Sequence, residues 1–256
     1  MTRPDVLIFA AGCSSRIRAE LDIEHKSLLP VNGEAMIVRS VRQFLAAGIG
    51  RIVVVTGAGA REVQGCLSGA FGDSAPIEYV FNPDFATQGT ARSFATVADR
   101  SWPRGMITVV ADLVFDSWLL MHLLEGVRES REVENLVVTS EGYDAEAMKV
   151  SLVQNDRVAE FGKEIREAVS CQESIGMTYY TASFVKELFK EVSLFSGGRY
   201  PDLRHLLNGC INQGAILRTL CVPCACWSEV DTLADYDRTC RQFRGESLLQ
   251  AGLVSS

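Results

Sequence analysis

The chain begins its ordered pattern with an unbroken apolar run, VLIFAA at residues 6–11. RIVVVTG (51–57) is a second continuous run, and strands are also expected at PIEYVF (76–81), MITVVAD (106–112) and NLVVTS (135–140). Continuous aliphatic and β-branched runs of this length predict strands covered on both faces, as in a parallel sheet. Between them, EAMIVRSVRQFLAAG (34–48) repeats apolar residues at helical spacing and stops on Gly48. AREVQGCLSGAF predicts a second helix, QGTARSFATVA (88–98) is a small-residue segment, and a further helix is expected near 116–127. This alternation predicts an α/β fold, a doubly wound, mostly parallel sheet with helices on both faces and its ligands beyond the carboxyl ends of the strands.

After residue 140 the rhythm changes. MKVSLVQ and RVAEFG, joined by an Asn155-Asp156 turn, and then GMTYYTASF predict shorter antiparallel strands. They read as a small antiparallel addition around 141–182 within one domain spanning 1–256, followed by helices near 183–191 and 202–212 and a return strand AILRTLCV. Neither an internal repeat nor a low-complexity linker interrupts the pattern.

Composition narrows the function. The formal net charge of −7 argues against nucleic acid as a partner, because phosphate backbones are held by basic residues in excess. No run approaches the roughly 20 apolar residues that cross a bilayer, and the N-terminus lacks the separate basic and apolar regions of a signal peptide, so the expected location is cytoplasmic, with no membrane partner. Eight scattered cysteines in 256 residues are no disulfide framework. CVPCAC brings Cys221, Cys224 and Cys226 together, but a second Cys/His pair for zinc is missing, and the segment reads as a strand using cysteines as small hydrophobes.

An anion site must therefore be local, and the first strand points to one. It ends in Ala10-Ala11-Gly12-Cys13-Ser14-Ser15-Arg16, with Lys26 soon after. Small residues let a backbone turn tightly and aim N–H groups at phosphate, while Arg16 and Lys26 offer positive charge; a plain turn with solvated cations is the alternative. The loop lacks both the lysine-serine/threonine ending of a P-loop and the three-glycine rhythm of a dinucleotide fold.

FAAGCSSRI…HKSLLPVNGEAMI resembles the signature of the nucleotidyltransferase superfamily that makes nucleotide sugars and related activated metabolites. The usual form is Leu-Ala-Ala-Gly, a variable residue, Gly or Ser, a variable residue, Arg, and later Pro-Lys. Ser14 stands where glycine is commoner, and His25 stands where proline precedes the lysine. NPDFATQGTARSFATVAD is similar to the family's base- and ribose-binding segment, VVADLVF to its metal-aspartate strand, and WSEVDTLADYDR to its closing Trp-x-Glu-Ile-Asp-Thr motif. Within the superfamily, EAMKVSLVQNDRVAEFGKEI…CQESIGMTYY resembles the cytidylyltransferases that activate phosphocholine or small phosphonates.

The resemblance implies a Rossmann-like nucleotidyltransferase that joins CTP to a small phosphate or phosphonate acid and releases pyrophosphate. Charge neutralisation is the central problem of such chemistry, met by magnesium on carboxylates and by cations on the phosphates. Arg16, Lys26 and Lys149 are the implied catalytic cations. Ala10, Ala11, Gly12, Cys13 and Ser14, with Gln88, Gly89 and Thr90, are the implied nucleotide contacts, although QGT also reads as a helix start. Asp112, at the end of its apolar strand, and Asp231 are the implied magnesium ligands. Asp112 has a helix-cap or turn role as its alternative, for which Asp116 is better placed, and Asp231 begins DTLAD, which also reads as a capping box of Thr232 and Asp235. Lys163, Glu173, Arg199 and Tyr200 are the implied acceptor contacts; for Lys149, Lys163 and Glu173 the alternative is a set of solvated strand residues. A nucleotidyltransferase for a sugar 1-phosphate or a molybdenum cofactor precursor, a non-catalytic nucleotide-sensing domain, and a homodimer all stay open.

Overall fold

The computed structural model describes residues 3–129, 134–142, 144–154, 156–166, 170–195 and 198–244. Its centre is a nine-stranded sheet, ordered Ile77–Phe81, Ile52–Thr56, Asp5–Ala10, Met106–Val110, Cys171–Tyr180, Asn135–Ser140, Leu217–Val222, Arg157–Gly162 and Lys149–Val153. Cys171–Tyr180 and Arg157–Gly162 are antiparallel to every strand they pair with, and the rest share one direction. The sheet is thus mostly parallel in direction, with two reversals.

Alternate residues of each strand enter opposite layers. Val6, Ile8 and Ala10 join Ile37, Val41 and Phe44 of the helix Met36–Ala46, Leu67 of Ala60–Phe71 and Leu123 of Ser117–Glu129. Leu7 and Val53 face the other way, toward Phe94, Phe184, Leu188 and Leu207 on three further helices. This two-sided covering explains why the strands are continuously apolar.

Several expected boundaries shift. The helix expected over 34–48 starts at Met36, because Glu34–Ala35 instead pairs with Pro30–Val31. Asn32 and Gly33 turn that ribbon with φ of 53° and 81°, the left-handed pair that a two-residue hairpin favours. CVPCAC is not one strand: the chain leaves the sheet at Val222, and Cys224–Cys226 form a 3-10 turn. Asn155 lies outside the described residues, and Asp156 carries φ 55° beside it.

Cys171–Tyr180 is the element that pattern alone did not place. Rather than staying in a separate addition, it runs between Met106–Val110 and Asn135–Ser140 in the middle of the sheet. Its register slips between Ser174 and Thr178, where Gly176 adopts φ 79° and a Cβ would press within 2.6 Å of Val110. No helix among the described residues is long and apolar enough to cross a membrane.

Candidate active site

The first strand ends at Ala10, and its loop opens a cleft of about 300 Å³ at the carboxyl edge of the sheet. Ala11, Gly12, Cys13, Ser14, Arg16 and Lys26 line it, as do Gln88, Gly89, Thr90, Asp112 and Asp231. Ala10 instead points its side chain into the core. A Cβ on Gly12 would meet no protein atom within 4 Å, so the space beside it is open. Ser14 takes φ 54°, the left-handed region glycine favours, and its Oγ accepts a 3.0 Å hydrogen bond from the Lys26 amide.

His25 holds the lysine's loop in place of the proline. Its Nδ1 accepts from the Ser27 amide at 3.2 Å and lies 2.8 Å from the Ser27 hydroxyl, capping the short turn Lys26–Leu28. Burial pushes the imidazole down to about 4, against the pull of the Asp112 carboxylate, so this cap stays neutral.

The acidic floor of the cleft is assembled from distant pieces. Asp112 follows the strand Met106–Val110, and the next residues, Leu113–Phe115, pair antiparallel with Trp227–Glu229. Glu229 stands opposite Leu113, and the Val230 amide donates to the Asp112 carbonyl at 3.1 Å. Ligand oxygens of Asp112, Glu229 and Asp231 all lie within 4.8 Å of one another. Glu229 was not anticipated as a site residue, although the alternation in SEVD places it two residues from Asp231 on one side of an extended segment.

Both helix-cap alternatives are resolved by the hydrogen bonds. Thr232 and Asp235 form the capping box of Leu233–Gln242, which frees the Asp231 carboxylate to face the cleft. Asp116 accepts from the Leu119 amide at 2.8 Å and serves the start of its helix, so Asp112 is not needed there.

Two cations meet these carboxylates. Lys26 Nζ pairs with Asp112 and lies 2.5 Å from Asp231, while Arg16, with a side chain 60% exposed, reaches Asp231 at 2.9 Å. Burial opposes the charge of Lys26, but the Asp112 and Asp231 carboxylates outweigh it and raise its pKa. Glu229 shows the remaining imbalance: burial, then repulsion from Asp112 and Asp231, pushes its carboxyl up to about 8. Three oxygen donors gathered within 4.8 Å, one of them holding its proton to about pH 8 through burial and the charge of the other two, form a set whose chemistry fits a small divalent cation such as magnesium.

A pH prediction follows with a definite sign. An acid whose folded pKa is raised keeps a proton that the unfolded chain has already lost, so stability falls as pH rises from the ordinary carboxyl range to about 8. In EDTA, the melting temperature of the parent chain should decline relative to Glu229→Gln between pH 5 and pH 8.5. Added magnesium should recover the parent more than the variant in thermal-shift curves. Parallel curves without metal would show that Glu229 carries no such strain.

The remaining candidates are elsewhere or otherwise engaged. Gln88 Oε1 accepts from the Tyr200 amide at 2.7 Å, Thr90 Oγ1 accepts from the Leu203 amide at 2.8 Å, and a Cβ on Gly89 would overlap the Pro201 carbonyl. This trio therefore clamps the 200–203 segment as well as lining the cleft. Tyr200 packs under the Arg92 guanidinium at 5.3 Å, while Arg199 is exposed. Lys163 is exposed beyond the strand Arg157–Gly162. Neither Lys149 nor Glu173 lines the cleft: Lys149 is fully buried with its ammonium on three backbone carbonyls, and the Glu173 carboxylate accepts from the Asp144 amide. Lys149 therefore does not present its ammonium to the cleft.

Comparison with known proteins agrees with this architecture. The structure is similar to the inositol-1-phosphate CTP transferase of T. maritima (TM-score 0.78, 20% identity, 96% of this chain and 99% of that one). It is also similar to the CTP:phosphocholine cytidylyltransferase of Streptococcus pneumoniae (TM-score 0.74, 16% identity, 93% and 98%). A curated relative, the CMP-5'-(3-aminopropyl)phosphonate synthase of Streptomyces rubellomurinus, is 27% identical over 158 residues, 60% of this chain, which spans 25% of that relative's length. Residues 6–249, which carry the glycine-serine loop, the cleft and all three clustered carboxylates, match the MobA-like NTP transferase domain, and the chain belongs to that family.

Proposed function

We propose that this chain is a magnesium-dependent cytidylyltransferase that joins CTP to a small phosphate or phosphonate acid and releases pyrophosphate. The observation that carries the reading is the convergence of Asp112, Glu229 and Asp231 with Lys26 and Arg16 at the foot of a cleft walled by the glycine-serine loop. Cytosine is favoured by the names of the curated relative and of two of the similar structures, a CMP-conjugate synthase and two CTP enzymes, although a thymidylyltransferase and a UDP-glucose pyrophosphorylase share the fold.

In this reading an acceptor oxyanion attacks the α-phosphorus in line with departing pyrophosphate, and the protein works by positioning and charge. Arg16 and Lys26 neutralise the triphosphate, and the open space at Gly12 lets phosphate approach the backbone. Asp112, Glu229 and Asp231 would hold the magnesium, which supplies Lewis-acid neutralisation of the developing charge when bound. Gln88, Gly89 and Thr90 line the same cleft and are already fixed against the 200–203 segment, which supports their holding a base there without a loop having to reorganise.

The test is a matrix of four nucleoside triphosphates against phosphate and phosphonate acids, read as pyrophosphate released. A polar base site leaves donors or acceptors unpaired with the wrong base, at ~1–3 kcal/mol each, so CTP should exceed UTP in kcat/KM by at least about tenfold. Equal use of UTP or GTP would sink the cytidylyl assignment, and silence with every pair would leave a nucleotide-binding domain without this activity.

A further inference from the structure

Lys149 is the charged side chain whose environment departs furthest from a role in the cleft. It begins the strand Lys149–Val153, is 0% exposed, and donates from Nζ to the carbonyls of Asp144, Ala145 and Ala147 at 2.8, 3.2 and 3.1 Å. An ammonium has three N–H donors, and three carbonyls of one turn converge on them. The same turn is closed by the Ala147 amide on the Asp144 carbonyl at 3.2 Å, and from outside by the Glu173 carboxylate on the Asp144 amide. Lys149 and Glu173 are themselves register partners across two strands. A backbone that points three carbonyls inward at one place is stable only with a donor or cation there.

The register locates this cage relative to the carboxylates. Met177 pairs with Val109, and Gly176 presses on Val110, so the chain running back from Gly176 to Glu173 passes the end of the strand that delivers Asp112. Glu173 then pairs with Ser140, the last residue of the strand that leads toward the Asp144–Ala147 turn. The turn that Lys149 organises thus leaves the sheet at the edge where the cleft opens, two strands over from the strand that delivers Asp112 and on the side away from the glycine-serine loop.

We propose that Lys149 is a positioning residue: its buried ammonium is the internal cation that holds the Asp144–Ala147 turn in the shape required to receive the phosphate or phosphonate acceptor, and it does not itself touch the reacting phosphate. The proposal rests on the cytidylyltransferase reading for the word acceptor, whereas the cage stands on the hydrogen bonds alone.

The experiment compares the parent with Lys149→Met and Lys149→Arg. It measures initial rates with magnesium-CTP and 3-aminopropylphosphonate or phosphocholine, and backbone amide exchange over residues 140–150. Lys149→Met should raise the acceptor KM tenfold or more, shift kcat and the CTP KM by no more than about twofold, and speed exchange at Asp144 to Met148 at least tenfold. Lys149→Arg, which keeps charge but not three convergent donors, should fall between, and carries the test if Lys149→Met does not fold. A hundredfold loss of kcat with amide protection intact would make Lys149 a catalytic cation and overturn the proposal. Faster exchange with every kinetic constant unmoved would also overturn it, leaving a purely structural lysine. Failure of the parent to release pyrophosphate from any triphosphate would defeat the transferase reading instead, a result separable from the exchange data.

Discussion

Asp112→Asn should lower turnover by about two orders of magnitude or more while leaving the metal-free chain at least as stable as the parent. The catalytic loss follows from removing one of three oxygen donors that would hold magnesium against the α-phosphate, and each factor of ten corresponds to about 1.4 kcal/mol of transition-state stabilisation. The stability result has the opposite sign because Asp112 is one of three carboxylates crowded within 4.8 Å, and its charge helps push Glu229 up to about 8. Asp231→Asn should behave similarly, since Thr232 and Asp235 rather than Asp231 cap the last helix. A capping role would show in the other pair: Thr232→Ala should cost ~1 kcal/mol of stability with turnover close to normal. Initial rates of pyrophosphate release, paired with melting curves in EDTA, separate the two. If Asp231→Asn melts early and turns over normally, its ion pairs are structural and the metal assignment fails.

The second large effect separates Lys26 from Arg16, which the chain alone presents as equivalent cations. Both should lose at least about a hundredfold in turnover as alanine variants, because each neutralises charge that builds on the departing pyrophosphate. Their stabilities should diverge. Arg16 is 60% exposed, and an exposed pair contributes little, so Arg16→Ala should melt with the parent. Lys26 is 14% exposed between Asp112 and Asp231, and although Arg16 still pairs with Asp231, its loss leaves the buried Asp112 carboxylate without a cation, on the order of 3 kcal/mol before protonation relieves part of it. In EDTA Lys26→Ala should therefore melt well below the parent, and magnesium should restore its melting temperature without restoring turnover. Normal kinetics in both variants would return the loop to an ordinary surface turn. Equal melting would show that Lys26 does not balance the carboxylates.

Much of this was legible along the chain because it depends on neighbours in sequence. The runs at Val6–Ala11 and Ile52–Val55 read as strands covered on both faces, since they are short, continuously apolar and, in the second, β-branched throughout; all but Phe9 are buried. The loop after them, with its glycine, serines and cations, reads as a phosphate-binding turn for equally local reasons. Asn32-Gly33 was just as local a signal for the hairpin that shortens the next helix, and its two positive φ angles are what that dipeptide favours.

Other features depended on which segments meet. Gly89 reads as a place where a ligand could approach the backbone, but the backbone that approaches it belongs to Pro201, more than a hundred residues on in the chain. Lys149 in a strand reads as a surface cation, and only a turn folded back over it, with three carbonyls inward, makes its complete burial tolerable.

By itself the sequence determined the alternation of strands and helices, because periodicity is a property of contiguous residues; it offered the glycine-serine loop and Asp112 as candidates, and its family resemblance added Asp231. Only the tertiary structure decided that Cys171–Tyr180 enters the middle of the sheet, that Glu229 joins Asp112 and Asp231, and that Lys26 is balanced against them while Lys149 is not. The reason is physical: charge repulsion, desolvation and hydrogen-bond satisfaction are set by distances of a few ångströms, and those distances arise here from pairing Leu113–Phe115 with Trp227–Glu229 across most of the second half of the chain.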